Sequence, residues 1–458
     1  MSRSLPSLRG AALVLGVGLA GLSPATTHAA EPAPTFNVEL LATSPNPATA
    51  VVVEGAYAYV ARGAAGLDVV DRTNPLAPVV VSTILPGDGA AVYIRDCAVK
   101  GGFVYLANWD DVPNGLTGKF TGVYVYDVHV PSAPVEVSRI DWGSAAFYHQ
   151  AAMVYDLAVA DVAGAPYAFF CSEITSSVEV FDVSNPADPV YATTLARPTT
   201  GGLAEDVTVL GTTAYVAWLN GGISSFDLTG LAAIAANNAV ATDYGSLLYP
   251  PLLMSHKGVL GNARGVAVAS SGQTLVVTDD YGSAKKLRIY DISNPYTAVL
   301  AGTFSPASGA SPYGVVVDGS RAYVAWGVDG LRVIDFSSPS APTQIARYDT
   351  ANSKRCVVSG SRVLLADGTQ GTLTLGFKDS VTITSARWKQ STRVLTITAT
   401  STAHDVVPPA LLTVVGRGTM TYSAGVYTFT QTVNPKPATV SVTSSWGGSA
   451  TATVVRVN

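Results

Sequence analysis

The sequence predicts an all-β protein: a seven-bladed β-propeller closed by an N-terminal strand, followed by a small β-sandwich. Three observations carry this. An eight-residue phrase, Asp-x-Ser/Thr-Asn-Pro-x-x-Pro in its fullest form, recurs along the chain at the spacing of stacked units, roughly 40–60 residues. A run of the form L/V-x-V/I-x-D precedes each copy, and a β-branched run follows it, as strands require. Gly (43 residues) and Pro (27 residues) are abundant enough in the 458-residue chain to supply a turn after each strand.

Residues 1–29 read as a secretory signal. Arg3 and Arg9 give a positive start, Ala11 to Leu22 is apolar but too short to span a bilayer, and Thr27-His28-Ala29 offers small residues for a cut after Ala29. No apolar tail closes the chain. The expected product is therefore exported (secreted, periplasmic or on the cell surface), with no transmembrane segment after cleavage.

Residues 30–378 hold the repeat. Seven first strands begin at Val51, Cys97, Leu157, Val207, Val266, Val315 and Cys356. Second strands follow tight turns (YAYVAR, FVYLAN, YAFFCS, AYVAW, TLVVTD, AYVAW, RVLLAD). Third strands end in the Asp of the phrase: Asp71, Asp127, Asp182, Asp227, Asp291 and Asp335, with Gly376 in the seventh unit. Fourth strands come after the Pro phrase. Unit seven stops after its third strand, whereas FNVELLAT (Phe36 to Thr43) has fourth-strand character. An N-terminal strand is thus expected to complete the last sheet, because an unclosed edge leaves backbone groups unpaired. The phrase itself reads as punctuation: Pro fixes φ and removes a donor, and Asp, Ser/Thr and Asn accept turn N–H groups. Unit four breaks the pattern, since DLTGLAAIAANN has no Pro phrase and looks helical.

SVEVFDVSNPADPV and KLRIYDISNPYTAV, with strand, Asp and Pro phrase in order, resemble the LVIVD repeat of bacterial and archaeal proteins. The resemblance covers about residues 36–378. It implies an exported propeller and no particular reaction. Residues 379–458 change character: SVTITSARW, TRVLTITAT, ALLTVVG, VYTFTQT, ATVSVTSS and SATATVVRV alternate in the manner of a sandwich. This stretch is similar to the immunoglobulin-like modules that end many exported bacterial proteins as spacers or anchors.

Composition narrows the function. The net charge is −5 and no Lys/Arg run occurs, which argues against a nucleic-acid partner. The three cysteines, Cys97, Cys171 and Cys356, fall on apolar strand positions and read as buried small residues. No Gly-x-Ser-x-Gly, Walker-type loop or Cys-x-x-Cys occurs, and no histidine pair has metal-ligand spacing. DDVPNG (Asp110 to Gly115) imitates the start of a calcium loop, but Val112 sits where an oxygen ligand belongs and Thr121 stands where a bidentate Glu should close the site.

Strand order then picks a face. Turns between second and third strands, and junctions between units, emerge together, vary in every copy and are the expected binding side. Candidate ligand contacts there are Trp109, Asp110, Asp111, Trp142, Tyr148, His149, Trp218, His256, Tyr281 and Trp326. The apolar run Leu247 to Met254 is placed in the junction between units four and five, either across the ring face or as an exposed patch. A second constellation sits at the starts of the first strands, near a central channel: Arg95, Asp96, Asp156, Glu205, Asp206, Arg264 and Arg355. Three readings of it stand: ion pairs and turn caps, an oxygen-ligand Ca²⁺ site, or acid–base chemistry. Two functions follow. One is a non-enzymatic propeller that binds a protein or a carbohydrate, with no cofactor and the C-terminal module as spacer. The other is an exported hydrolase or lyase using channel-mouth carboxylates, with or without Ca²⁺.

Overall fold

The computed structural model describes residues 36–86, 92–109, 122–140, 153–172, 176–196, 202–240, 246–256, 261–282, 285–306, 308–402 and 410–458. The predicted signal segment lies outside them. The protein is all-β, built mostly of four-stranded antiparallel sheets that fit a propeller.

Among the described residues the repeat region holds seven such sheets. Their first strands are Ala50–Glu54, Ile94–Lys100, Val154–Val162, Asp206–Leu210, Ala263–Val268, Val315–Asp318 and Ser353–Ser359. Each packs against the first strand of the next unit, and the seventh packs back against the first. The seventh sheet borrows its outer strand from the N-terminus. Phe36–Ser44 lies antiparallel to Gly371–Asp379, with Val38 opposite Phe377 and Leu40 opposite Leu375. The apolar cores lie between neighbouring sheets, so that Val51 and Val60 of unit one pack with Leu364 and Ala366 of unit seven.

The Asp at the end of the third strand works as the sequence suggests, in unit four without the Pro phrase as well as in the units that have it. The carboxylates of Asp71, Asp127, Asp182, Asp227, Asp291 and Asp335 each accept the N–H two residues on, at 2.7, 2.9, 2.8, 2.8, 2.8 and 2.7 Å. The phrase also locks units together. Ser82 and Ser138 on fourth strands donate to the carbonyls of Pro131 and Pro186 in the next unit's phrase, both at 2.6 Å. At the same place in unit five is Gly302, where a Cβ would stand 2.0 Å from the Pro339 carbonyl.

Unit four resolves differently from expectation. Its third strand, Ile223–Asp227, runs into the helix Leu231–Asn238, and Leu252–His256 pairs back as the fourth strand. The run Leu247 to Met254 is therefore the lead-in and start of an outer strand, not part of the junction to unit five. The physical reason is the missing Pro phrase. Asn238 takes over its locking role, donating to the carbonyls of Ala192 (2.8 Å) and Leu248 (2.9 Å) and accepting the Leu248 N–H (2.8 Å).

Beyond residue 379 two sheets share one apolar core. The five-stranded sheet includes Val381–Lys389, Val394–Ser401 and Val426–Thr432; the four-stranded sheet includes Leu412–Val414 and Thr439–Ser444. Trp388, Leu395, Ile397, Leu412, Val414 and Val442 meet between them. Asp379 at the junction accepts the Gly448 N–H at 2.9 Å and the Ser401 hydroxyl. This part packs by the short first-to-second-strand turns of units six and seven, where Arg321 lies 5.1 Å from the Trp446 ring. Its described residues thus lie at the end opposite the loop-bearing face. No helix among the described residues is long and apolar enough to cross a membrane.

Candidate functional site

The first strand of every unit starts with a two-for-one irregularity. In units two, three, five and seven a β-bulge leaves Arg95, Tyr155, Arg264 and Lys354 without a cross-strand partner. In the other three, the N–H of Thr49, Glu205 and Tyr313 donates to the carbonyl of Ala61, Ala217 or Ala325, at 2.8, 2.9 and 2.8 Å, and that alanine faces the following residue. A bulge re-aims side chains, so two successive residues per strand reach the centre of the ring where alternation allows one.

Two tiers result. The outer tier, in ring order, is Thr49, Arg95, Tyr155, Glu205, Arg264, Tyr313 and Lys354; together with Tyr93, Gly314 and Arg355 these line a cavity of about 180 Å³ on the loop-bearing side. The inner tier is Ala50, Asp96, Asp156, Asp206, Gly265, Gly314 and Arg355. Below it a second cavity of about 350 Å³ is walled by first strands from all seven units.

The inner tier is closed on itself. The Arg355 guanidinium reaches Asp96 at 3.5 Å, Asp206 at 3.4 Å, and Asp156 in direct contact. The carboxylates also stitch strands together: Asp156 accepts the Val207 N–H at 3.2 Å and Asp206 the Val266 N–H at 3.0 Å, each in the following unit. Asp96 accepts the Cys97 N–H at 2.8 Å. Three buried carboxyls share one cation, so they do not all ionise. Burial, with the neighbouring Asp96, pushes Asp156 up to about 8 against the pull of Arg355. Burial and Asp156 drive Asp206 the same way.

The outer tier is uneven. Arg264 bridges Asp280 (2.7 Å) and Glu205 (3.8 Å), and Asp280 also holds Lys285. The Tyr155 hydroxyl bonds to Glu205, whose carboxyl is raised by burial despite Arg264 and that bond. Arg95 lies over the Tyr155 ring at 3.6 Å and the Trp109 ring at 5.2 Å; Lys354 lies 4.5 Å from the Tyr313 ring centre. Among the described residues neither Arg95 nor Lys354 has a carboxylate partner. Burial, then repulsion from Arg95 and Arg264, lowers the Lys354 ammonium pKa against the pull of Asp367.

All seven channel residues expected from the sequence (Arg95, Asp96, Asp156, Glu205, Asp206, Arg264 and Arg355) come together here. Sequence reasoning missed Thr49, Tyr93, Tyr155, Tyr313 and Lys354. The usable signal was a pair of polar residues heading an apolar strand, as in Arg95-Asp96, Glu205-Asp206 and Lys354-Arg355. The proposed ligand contacts divide. Trp109 borders the mouth through Arg95, and Tyr93 meets its edge at 5.8 Å between ring centres. Tyr281 is exposed on the same side (65%). Trp218 and Trp326 are fully buried between sheets, Trp326 donating to the Ala310 carbonyl at 2.8 Å, so neither offers a surface to a ligand. His256 stands on the outermost strand of unit four against Tyr290, away from the mouth. Asp110, Asp111, Trp142, Tyr148 and His149 lie outside the described residues.

Among the described residues no group of three or more His, Cys, Asp or Glu side chains is spaced to hold a metal ion. The three aspartates come nearest, and the guanidinium of Arg355 stands among them where a cation would bind. Cys97, Cys171 and Cys356 are buried free thiols. Burial raises all three, Cys356 to about 12, which leaves them unreactive.

The LVIVD repeat family matches residues 47–85, 92–141, 201–223 and 311–350. The chain thus carries LVIVD repeats, which are propeller-type repeats. The matched segments fall on units one, two, four and six of the seven sheets. A search of the curated proteins finds no match.

Proposed function

We propose that the chain is an exported, non-enzymatic seven-bladed propeller that binds a protein or glycan at the mouth of its loop-bearing face. The two C-terminal sheets act as an immunoglobulin-like spacer holding the propeller by its opposite side. One observation carries this reading: the outer tier presents ungrouped cations and aromatic rings to an open cavity, whereas the tier beneath is locked shut by Arg355 and three aspartates. Acid–base chemistry needs a carboxyl free to meet a substrate. Here Asp156 and Asp206 are committed to Arg355 and to backbone N–H groups, and Glu205, whose carboxyl is also raised, is held by the Tyr155 hydroxyl and by Arg264. A binding role asks only for the outer tier.

The test is an array of immobilised oligosaccharides and peptides, probed with the mature chain and with an Arg95→Glu/Lys354→Glu variant whose melting temperature matches it. Binding that disappears in the variant, with no product released from the array, supports the reading. Binding that survives in the variant, or release of cleaved product, overturns it.

A further inference from the structure

The outer tier carries its charge on one side. In ring order Lys354, Thr49 and Arg95 form one arc, and Glu205 with Arg264 forms the arc opposite. Tyr155 and Tyr313 occupy the two positions between the arcs. The Glu205–Arg264 side is neutralised internally and extended by Asp280 and Lys285. Among the described residues no carboxylate stands within ion-pair distance of Lys354 or Arg95; Asp367 and Glu205 act on them only from further away, and the two cations are close enough to repel each other. An arc of this kind awaits an anion.

The rest of the lining narrows the anion. Tyr93, Tyr155 and Tyr313 supply ring faces that carry a hydroxyl each, and Glu205 supplies a buried acceptor. Among the described residues no purely aliphatic side chain lines the cavity. A peptide C-terminus would bring a side chain needing an apolar slot, and the described lining residues offer none. A polyhydroxylated ring needs aromatic faces and exchangeable hydrogen-bond partners, and those are what the cavity has. The cavity has a volume of about 180 Å³ and opens on the loop-bearing side.

Resting on the binding role proposed above, we infer that the mouth recognises an acidic sugar: a uronic-acid unit at the end of a glycan. Its carboxylate sits on Lys354 and Arg95, its ring lies between Tyr155 and Tyr313, and a hydroxyl donates to Glu205. Arg95 is suited to this because its guanidinium carbon is placed 3.6 Å from the Tyr155 ring centre and 5.2 Å from that of Trp109, and a guanidinium offers a carboxylate a pair of N–H donors.

Titration calorimetry on the full mature chain tests this, with trigalacturonate, a glucuronate-ended trisaccharide, a neutral galactose trisaccharide, and an acetylated tripeptide with a free C-terminus. The expected result is binding of at least one acidic trisaccharide, with neutral sugar and peptide at least tenfold weaker and affinity falling as salt rises. Lys354→Ala is expected to weaken binding about 10–100-fold, the loss of one charge-assisted hydrogen bond. It should leave the melting temperature unchanged or raised, because it removes a repelled cation. Arg95→Gln is expected to act alike. Neutral sugar bound as tightly as the acidic one would overturn the acidic-sugar assignment and leave a glycan-binding mouth. A preference for the tripeptide, lost in Lys354→Ala, would overturn it in favour of a protein ligand. No binding by any of the four probes overturns this inference, while the array described above still decides the broader role.

Discussion

Replacing Arg355 with Met tests the inner tier most directly. Arg355 is the cation shared by Asp96, Asp156 and Asp206, and 24% of its side chain is exposed, so solvent screens it only partly. Removing one partner of a buried ionic group costs about 3–5 kcal/mol, since the remaining charge is left uncompensated. Here the cost depends on pH. Asp156 is raised from its ordinary 3.8 to about 8. Between those values the folded chain holds a proton that the unfolded chain has released. The stability this proton confers is fully present below pH 3.8 and is lost as pH rises toward 8, at about 1.4 kcal/mol per pH unit for one net proton. Without Arg355 the folded carboxyls hold their protons still more tightly, so the decline becomes steeper and reaches higher pH. Urea denaturation followed by tryptophan fluorescence should show Arg355→Met costing little at pH 5, where protonated carboxyls hydrogen-bond to one another. At pH 8 the cost should approach the 3–5 kcal/mol range. A cost below about 1 kcal/mol at pH 8, or equal costs at both pH values, would refute the shared-cation account. The companion Asp156→Asn, which mimics the protonated carboxyl and still accepts the Val207 N–H, should flatten the wild-type decline between pH 5 and 8.

Other outcomes follow from single contacts. Deleting residues 36–44 leaves the seventh sheet with three strands, so urea unfolding should lose most of the several-kcal/mol stability typical of a folded domain; an unchanged midpoint would mean that the strand closes nothing. Gly371 has φ +95°, and a Cβ there would lie 1.9 Å from the Ser44 carbonyl, so Gly371→Ala should cost more than about 2 kcal/mol by the same assay. Ser138→Ala removes the bond to the Pro186 carbonyl and should cost about 1 kcal/mol. Asp182→Ala should destabilise measurably while Asp182→Asn, which keeps an acceptor for the Ser184 N–H, should not; equal melting losses would remove the turn-capping role.

What was legible in the sequence is what the repeat had to state several times. The Asp that ends the third strand appears in six units, five of them with the Pro phrase, because the same turn needs the same acceptor, and Phe36–Ser44 was findable because unit seven lacked a fourth strand. Unit four was less readable. With no Pro phrase, nothing local marked whether Leu247 to Met254 belonged to a strand or a junction, and the lock made by Asn238 depends on Ala192, 46 residues away. The mouth was half legible. Charged residues at strand starts pointed to it, but strict alternation gives one inward side chain per strand, so Tyr155, Tyr313 and Lys354 went unread. Trp218 and Trp326 misled for the opposite reason: they follow second strands at the loop-bearing end, yet fold back under neighbouring sheets where their large apolar area is buried.

The bulge also explains why the two tiers differ in kind. The inner-tier residue remains paired with its neighbour strand, so its side chain is packed against adjacent units and must satisfy them; Asp156 and Asp206 do so by binding the next strand's N–H groups. The bulged residue is released from the ladder in four of the seven units, and its side chain meets open volume. Geometry there imposes no common chemistry, and the seven positions hold Thr, Arg, Tyr, Glu, Arg, Tyr and Lys. In a repeat protein the scaffold accounts for what recurs. A position that the scaffold leaves free, occupied by polar and aromatic groups with two cations outside any ion pair among the described residues, is therefore where the binding role proposed above locates its ligand.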